Sequence, residues 1–286
     1  MRIDAHQHFW RYKPATHPWI TDDMAAIRRD FLPIDLRSTL LANDVCGTVA
    51  VQADQSENET RFLLDLAGAD DRILGVVGWI DLRAATLLER LEYFARFDSL
   101  VGFRHIVQSE PDDRFLLGAD FLRGISHLER YGFTYDILIN PRQLPAAVQF
   151  VEKFPAQRFV LDHLAKPDIR SGKLDGWQHG IGALAAHPNV FCKLSGMVTE
   201  ASWSGWHVSD FRPYLDLVFE AFGVDRLMFG SDWPVCLVAA SYGRVLGLVD
   251  DYLQKFSPAD RDKIFFANAA RFYGLETPAH GSAAQG

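Results

Sequence analysis

The run Asp4-Ala5-His6-Gln7-His8 puts two histidines one residue apart at the end of a strand-like stretch, Arg2 to His8. Strand side chains alternate between faces, so Asp4, His6 and His8 are predicted to share one. Two imidazoles held side by side are half of a metal or acid/base site, each offering one ring nitrogen while a second partner fixes the other. Other apolar runs also end in groups that titrate or bond: Arg104-His105, Asp162-His163, Lys193 with Ser195, and Ser231-Asp232-Trp233. Each has a local explanation. Asp232 suits a helix cap or an Asx-turn before Pro234, Lys193 an ion pair with Glu200, His163 a hydrogen-bonded core position, and His105 a contact to a neighbouring loop. Buried separately, these charges would be costly unless partners or a ligand satisfied them. One shared site is the reading that satisfies them together.

For such residues to meet, the chain must bring several strand ends to one place. Eight short apolar runs recur: Arg2 to His8, Gly47 to Ala53, Ile73 to Ile80, Leu100 to Ile106, Thr134 to Ile139, Arg158 to Leu164, Val190 to Gly196 and Arg226 to Asp232. Helix-like segments lie between them. Glu57 to Ala69 carries Phe62, Leu63 and Leu66 on one stripe, Ala84 to Phe97 carries Leu87, Leu88, Leu91 and Phe94, and Asp210 to Phe222 carries Phe211, Leu215, Val218 and Phe222. Apolar strands interleaved with helices predict an α/β protein with a parallel sheet, closed as a (β/α)8 TIM barrel whose strand ends converge on one mouth. The competing open, doubly wound sheet should carry a Gly-rich phosphate loop after its first strand, and Phe9-Trp10-Arg11-Tyr12 is not one. Residues 1–276 are predicted as a single domain, with no linker-like composition inside them. Residues 9–33, punctuated by Pro14, Pro18 and Pro33, form a long first loop over the mouth, with a short helix near Met24 to Arg29. Residues 277–286 are small and polar, as in a flexible tail.

Bulk composition excludes several classes. The chain has 286 residues, 48% of them hydrophobic and 23% charged, with a formal net charge of -8. That balance, without a Lys/Arg run, argues against a nucleic-acid or anionic-membrane partner. No segment approaches the roughly 20 apolar residues that span a bilayer, and the N-terminus enters a strand directly, so a cytoplasmic protein is expected. Cys46, Cys192 and Cys236 are odd in number and sit in or beside apolar runs, as reduced core thiols do.

His6, His8, His163 and Asp232 together resemble the metal-centre ligands of the amidohydrolase superfamily. Ile3 to Trp10, Gly102-Phe103-Arg104-His105, Leu161 to Pro167, Cys192 to Gly196 and Met228 to Pro234 look like the branch that contains sugar-lactone hydrolases. Within it, Cys192 to Trp203 and Phe229 to Tyr242 look most similar to members that open L-fucono-lactone. The resemblance runs from residue 2 to about residue 274 and implies hydrolysis of a small sugar lactone to its aldonic acid by a monomer or homo-oligomer. It also implies one divalent ion, zinc or manganese, or none, held by His6, His8, His163 and Asp232, with no organic cofactor. The bridging lysine or glutamate and the strand-five histidine of the wider superfamily are not evident, since that strand ends in Ile137-Leu138-Ile139-Asn140. A two-metal centre is therefore not expected.

Lactone opening needs an activated water, a stabilised oxyanion and a proton for the departing ring oxygen. Asp232 is the expected general base, requiring either burial to raise its pKa or a metal to lower that of water toward about 7. His163 and His105 are expected as further ligand or electrophilic donor. Trp10, Trp19, Trp203, Trp206 and Trp233 fall near the predicted mouth, where aromatic faces pack on sugar C–H faces. Trp10 and Trp233 are expected to touch substrate with Arg104 and Lys193, and Glu200 is a further polar candidate. Three rivals predict different features. A non-oxidative decarboxylase would use a divalent metal, a cationic clamp such as Arg104, and release carbon dioxide. A lactonase for a dicarboxylate or sulfonated muconolactone-type ring would need two or more arginines at the mouth, where only Arg104 is placed. A binding module would have lost the acid/base groups.

Overall fold

The computed structural model describes residues 1–276. Its apolar runs form eight strands: β1 (Arg2–Gln7), β2 (Val45–Val51), β3 (Ile73–Gly78), β4 (Leu100–His105), β5 (Thr134–Ile137), β6 (Phe159–Leu161), β7 (Val190–Leu194) and β8 (Leu227–Phe229). They pair in chain order, each parallel to the next. The ring closes where the Asp232 N–H donates to the His6 carbonyl at 2.8 Å and the His8 N–H to the Trp233 carbonyl at 2.7 Å. Helices follow the strands in turn: α1 (Pro33–Ala42), α2 (Glu57–Ala69), α3 (Leu87–Phe94), α4 (Ala119–Ile125), α5 (Leu144–Glu152), α6 (Trp177–Ala185), α7 (Val208–Phe222) and α8 (Tyr242–Leu253). The short α9 (Pro258–Asp262) and α10 (Asn268–Tyr273) come last. This is the expected (β/α)8 barrel, and residues 277–286, predicted to form a tail, lie outside the described residues.

Strand alternation separates two apolar layers. Ile3, Ala5, Val49, Val51, Val77, Val160 and Met228 face inward, where Phe272, Tyr273 and Leu275 close the end at which the strands begin. Outward-facing Phe103, Tyr135, Ile137, Phe159, Leu161 and Leu227 pack under the helices. Helix α7 buries the predicted stripe of Phe211, Leu215, Val218 and Phe222. It starts two residues before the expected Asp210, because the Asp210 carboxylate is a capping group that accepts the His207 N–H at 2.8 Å. Among the described residues, no helix is long and apolar enough to cross a membrane.

Three departures from simple alternation shape the mouth. Between Asp4 and Gln7 the chain advances three residues against two on β2, a bulge that reverses the phase of β1. Asp4 therefore points outward, accepting from the Ser231 N–H and hydroxyl and from the Tyr242 hydroxyl on α8, while His6 and His8 point into the barrel. The predicted common face for Asp4, His6 and His8 is thus corrected. Strands β6 and β8 also end about three residues early, because His163 to Lys166 and Asp232 adopt positive φ and leave the ladder. The short helix expected at Met24 to Arg29 is a 3-10 helix at Asp22–Ile27, inside the long first loop.

Candidate active site

At the mouth, four side chains from three elements converge. His6 Nε2 lies 3.2 Å from His8 Nε2, and His8 Nε2 lies 3.3 Å from Asp232 Oδ1. The same carboxylate oxygen is 3.8 Å from His6 Nε2 and 3.9 Å from His163 Nε2. All four residues are buried. They arrive there because β1 supplies two neighbouring inward positions after its bulge, and because the chain turns left-handed after β6 and β8.

The chemistry of these atoms fits a cation. His8 Nδ1 lies 2.7 Å from the Val51 carbonyl, which only accepts, so that nitrogen carries the proton and Nε2 is a bare lone pair. It then faces the Asp232 carboxylate oxygen, a second acceptor, at 3.3 Å. Burial lowers His163 to about 4 and His6 well below the ordinary histidine value, so both rings are neutral near pH 7. Burial opposes the Asp232 charge, while the pull of the surrounding imidazoles in their protonated forms outweighs it and sets the carboxyl below its usual range. Three imidazoles and one carboxylate are an expected donor set for a zinc-like ion. The structure thus holds two overlapping groups that could bind a metal, His6-His8-Asp232 and His6-Asp162-His163.

Beneath this cluster lies a charged layer that sequence reading largely missed. Lys193 Nζ donates to Asp136 Oδ2 at 2.5 Å and sits 3.0 Å from Asp162 Oδ1 and 3.1 Å from His6 Nδ1. Asp136 also accepts from the Tyr273 hydroxyl at 2.9 Å. Burial pushes Asp136 up to about 6 despite Lys193 beside it. Arg104 Nη1 donates to Asp162 Oδ2 at 2.9 Å and lies 3.3 Å from His6 Nε2, while Nη2 donates to the Gln52 carbonyl. Lys193 was expected to meet substrate or Glu200, but it is fully buried under His6 and out of the cavity wall. Its charge neutralises two carboxylates, one of which, Asp162, lies 3.3 Å from His6 Nδ1 and can accept its proton, leaving Nε2 free.

The turn carrying His163 is unusual. His163, Leu164, Ala165 and Lys166 all have φ between 52 and 57°, a left-handed winding that costs about 1–2 kcal/mol per non-glycine residue. It is braced by Gly196, whose own φ is +63° and on which a Cβ would lie 2.5 Å from the His163 ring. Ser195 Oγ, one residue earlier, sits 2.8 Å from His163 Nδ1. Replacing Gly196 by Ala is therefore expected to destabilise the protein by about 1–3 kcal/mol and to displace His163. Urea unfolding and turnover should fall together; a variant with parental values of both would show that the turn tolerates a side chain there.

Above the cluster opens a cavity of about 360 Å³, within the range of small-molecule pockets. His8, Arg104, His163 and Asp232 line it, with Trp19 and Met24 of the first loop and Trp203 of the loop after β7. Lys166 and Glu200 also line it, paired at 3.2 Å. Three expected contacts are absent from this wall. Trp10 is fully buried, donating through Nε1 to the Arg29 carbonyl and packing against Trp19 and Phe31. Trp233 packs edge-on to Phe9 and Phe31. Both anchor the first loop instead of facing a ligand. His105 points away from the mouth because its neighbour Arg104 points inward; it stacks on Phe115, accepts from Trp79 Nε1 at 3.3 Å and bonds Glu110 at 2.7 Å. It is not placed to act with the other histidines. Trp206, buried against the Ala239 carbonyl, is likewise outside the wall.

One residue behind the wall is expected to respond to pH. The Glu59 carboxylate accepts the N–H of cavity-lining Ala53 at 3.2 Å, and burial, with Asp54 adding to it, raises its pKa to about 7. Between the ordinary carboxylate value and about 7 the folded chain then binds more protons than the unfolded one, so this group's contribution is full in acid and is lost as pH rises through about 7. Glu59→Gln removes the penalty, and its stability relative to the parent should improve by on the order of 2 kcal/mol between about pH 5 and about pH 8 in urea unfolding. An equal difference at both pH values would mean that Glu59 titrates normally.

Comparison with known proteins adds to this geometry. Residues 3–275 match the model of a family described as amidohydrolase. The chain is 46% identical to L-fucono-1,5-lactonase of Burkholderia multivorans, covering 98% of each chain. It is 38% identical to L-fucono-1,5-lactonase of Burkholderia ambifaria, covering 99% of each. The crystal structure of an amidohydrolase from Burkholderia multivorans with bound zinc superposes with a TM-score of 0.93 at 45% identity, over 96% of this chain and 100% of that one.

Proposed function

The chain belongs to the amidohydrolase family, and from that premise we propose that it hydrolyses the ring ester of a six-carbon sugar lactone of the L-fucono-1,5-lactone type. The observation that carries this reading is the convergence of three imidazole nitrogens and one carboxylate oxygen, with His8, His163 and Asp232 of that cluster lining a ligand-sized cavity. An aldonolactone is an ester with an alkoxide leaving group, and its opening requires one water, one proton shuttle and an electropositive seat for the carbonyl oxygen.

Asp232 supplies the shuttle. Its contacts to the imidazoles all use Oδ1, which leaves Oδ2 to take a proton from water and later return it to the ring oxygen. Its lowered pKa favours the second of the two expected routes, activation of the water by a metal, over burial alone. A divalent cation held by His6, His8, His163 and Asp232 would supply Lewis acidity, lowering the pKa of water toward about 7. Zinc suits this donor set. Arg104, its guanidinium beside His6, faces the cavity and would stabilise negative charge on the carbonyl oxygen. Asp162, itself held by Arg104 and Lys193, keeps His6 oriented from below.

The rival readings have less support. A dicarboxylate or sulfonated lactone needs two or more arginines at the mouth, and Arg104 is the one arginine lining the cavity among the described residues. The same shortage weakens a carboxylate clamp for decarboxylation, and the retained acid/base groups weaken a pure binding role. A pH-indicator assay of zinc-quantified protein tests the proposal, with L-fucono-1,5-lactone, a five-membered aldonolactone and a pyrone dicarboxylate compared side by side. Faster opening of the six-membered sugar lactone is expected. No acid release from any sugar lactone would overturn the reading, as would carbon dioxide release in place of ring opening.

A further inference from the structure

The strained turn after β6 does more than aim His163. A helical turn of three residues places residues i and i+3 on one side. Here Leu164 and Ala165 enter the core, while His163 and Lys166 both line the cavity. Lys166 Nζ lies 3.2 Å from Glu200 Oε1, and each side chain keeps about a quarter of its surface exposed, at 22% and 24%. Glu200 is itself fixed, its N–H donating to the Met197 carbonyl at 3.1 Å and its carbonyl accepting the Arg170 N–H at 3.0 Å. The same loop carries Trp203, whose Nε1 donates to the Thr199 carbonyl at 2.9 Å.

We infer that Lys166 and Glu200 form a donor–acceptor pair that reads adjacent hydroxyls on the substrate ring, with Trp19 and Trp203 covering its C–H faces. An ammonium has three donors and the mutual contact uses one; a carboxylate keeps acceptor positions beyond the one it shares. A hydroxyl both gives and accepts a hydrogen bond, so two neighbouring hydroxyls match the pair as a unit. A carboxylate or sulfonate would meet Glu200 with like charge. Arg104, the other cation of the wall, is held by Asp162 and the Gln52 carbonyl. The cavity therefore selects uncharged polyhydroxylated rings over anionic ones. This assigns a specificity role to residues that the chemistry at Asp232 does not use, and it rests on the sugar-lactone reading above.

The test uses binding, which does not require turnover. The probes are a polyhydroxylated six-membered lactam, which the site cannot hydrolyse, and plain δ-valerolactam, titrated into the zinc-loaded full chain by calorimetry. The parent protein is expected to bind the hydroxylated lactam at least 100-fold more tightly. Lys166→Met and Glu200→Ala should each weaken that ligand at least 10-fold and the plain lactam less than 2-fold, while Lys166→Arg, which keeps a donor, should stay within 3-fold of the parent. Equal loss for both lactams, or unchanged affinity for the hydroxylated one, would overturn the assignment. Where a variant fails to fold, the two lactams on the parent protein can still overturn the assignment, because a preference below 10-fold is incompatible with hydroxyl readout. Tight, hydroxyl-dependent binding without lactone opening would leave this inference standing and remove the hydrolase reading.

Discussion

Asp232→Asn is expected to lower kcat for lactone opening by about 10²–10⁴-fold, the usual contribution of a positioned general base. The amide keeps the shape, and its NH2 can donate to His8 Nε2, but it cannot take a proton from water. Because Asp232 is enclosed by His6, His8 and His163, its replacement also removes the negative charge from the cluster. Metal content measured beside kinetics separates the two consequences. A variant that keeps its metal and loses kcat with little change in KM has lost a group that acts in the transition state. A variant turning over within about 3-fold of the parent would contradict a role at the level general bases contribute.

Lys193→Met should have the largest effect on stability, about 3–5 kcal/mol, because it leaves Asp136 and Asp162 buried without their shared cation. Burying an uncompensated carboxylate is the expensive term, while methionine fills the lysine stem well. The double variant Lys193→Met with Asp136→Asn should accordingly recover part of the loss, a coupling that urea unfolding of the four-member cycle reads directly. Activity is expected to fall as well, since Asp162, 3.3 Å from His6 Nδ1, loses a cation that holds it in place. A single variant within about 1 kcal/mol of the parent would mean that the two carboxylates are satisfied without Lys193.

Much of the barrel is legible in the chain because each strand is a short apolar run and each following helix has a buried stripe. His6, His8, His163 and Asp232 are equally legible, as polar residues terminating such runs. What escaped reading depends on backbone detail or distant partners. The bulge that turns Asp4 outward has no glycine or proline to announce it, and the left-handed turn from His163 to Lys166 contains neither glycine nor asparagine. Asp136 lies inside an apolar run and meets Lys193 and Tyr273 only through closure of the barrel. One signal was available. Arg104 and His105 are adjacent on a strand, so only one of them could face the mouth. The tryptophans show the limit of composition, since Trp19 and Trp203 line the cavity whereas Trp10 and Trp233 complete the packing beneath its loop.

A single-turnover reaction in ¹⁸O-labelled water, followed by mass spectrometry of both product and enzyme, addresses the water-activating role of Asp232 most directly. One heavy oxygen should appear in the carboxyl group of the aldonic acid, with none in the peptide that contains Asp232. Label retained on Asp232 would make it a nucleophile, and label on the released ring hydroxyl would mean cleavage on the wrong side of the ester; either result contradicts the account.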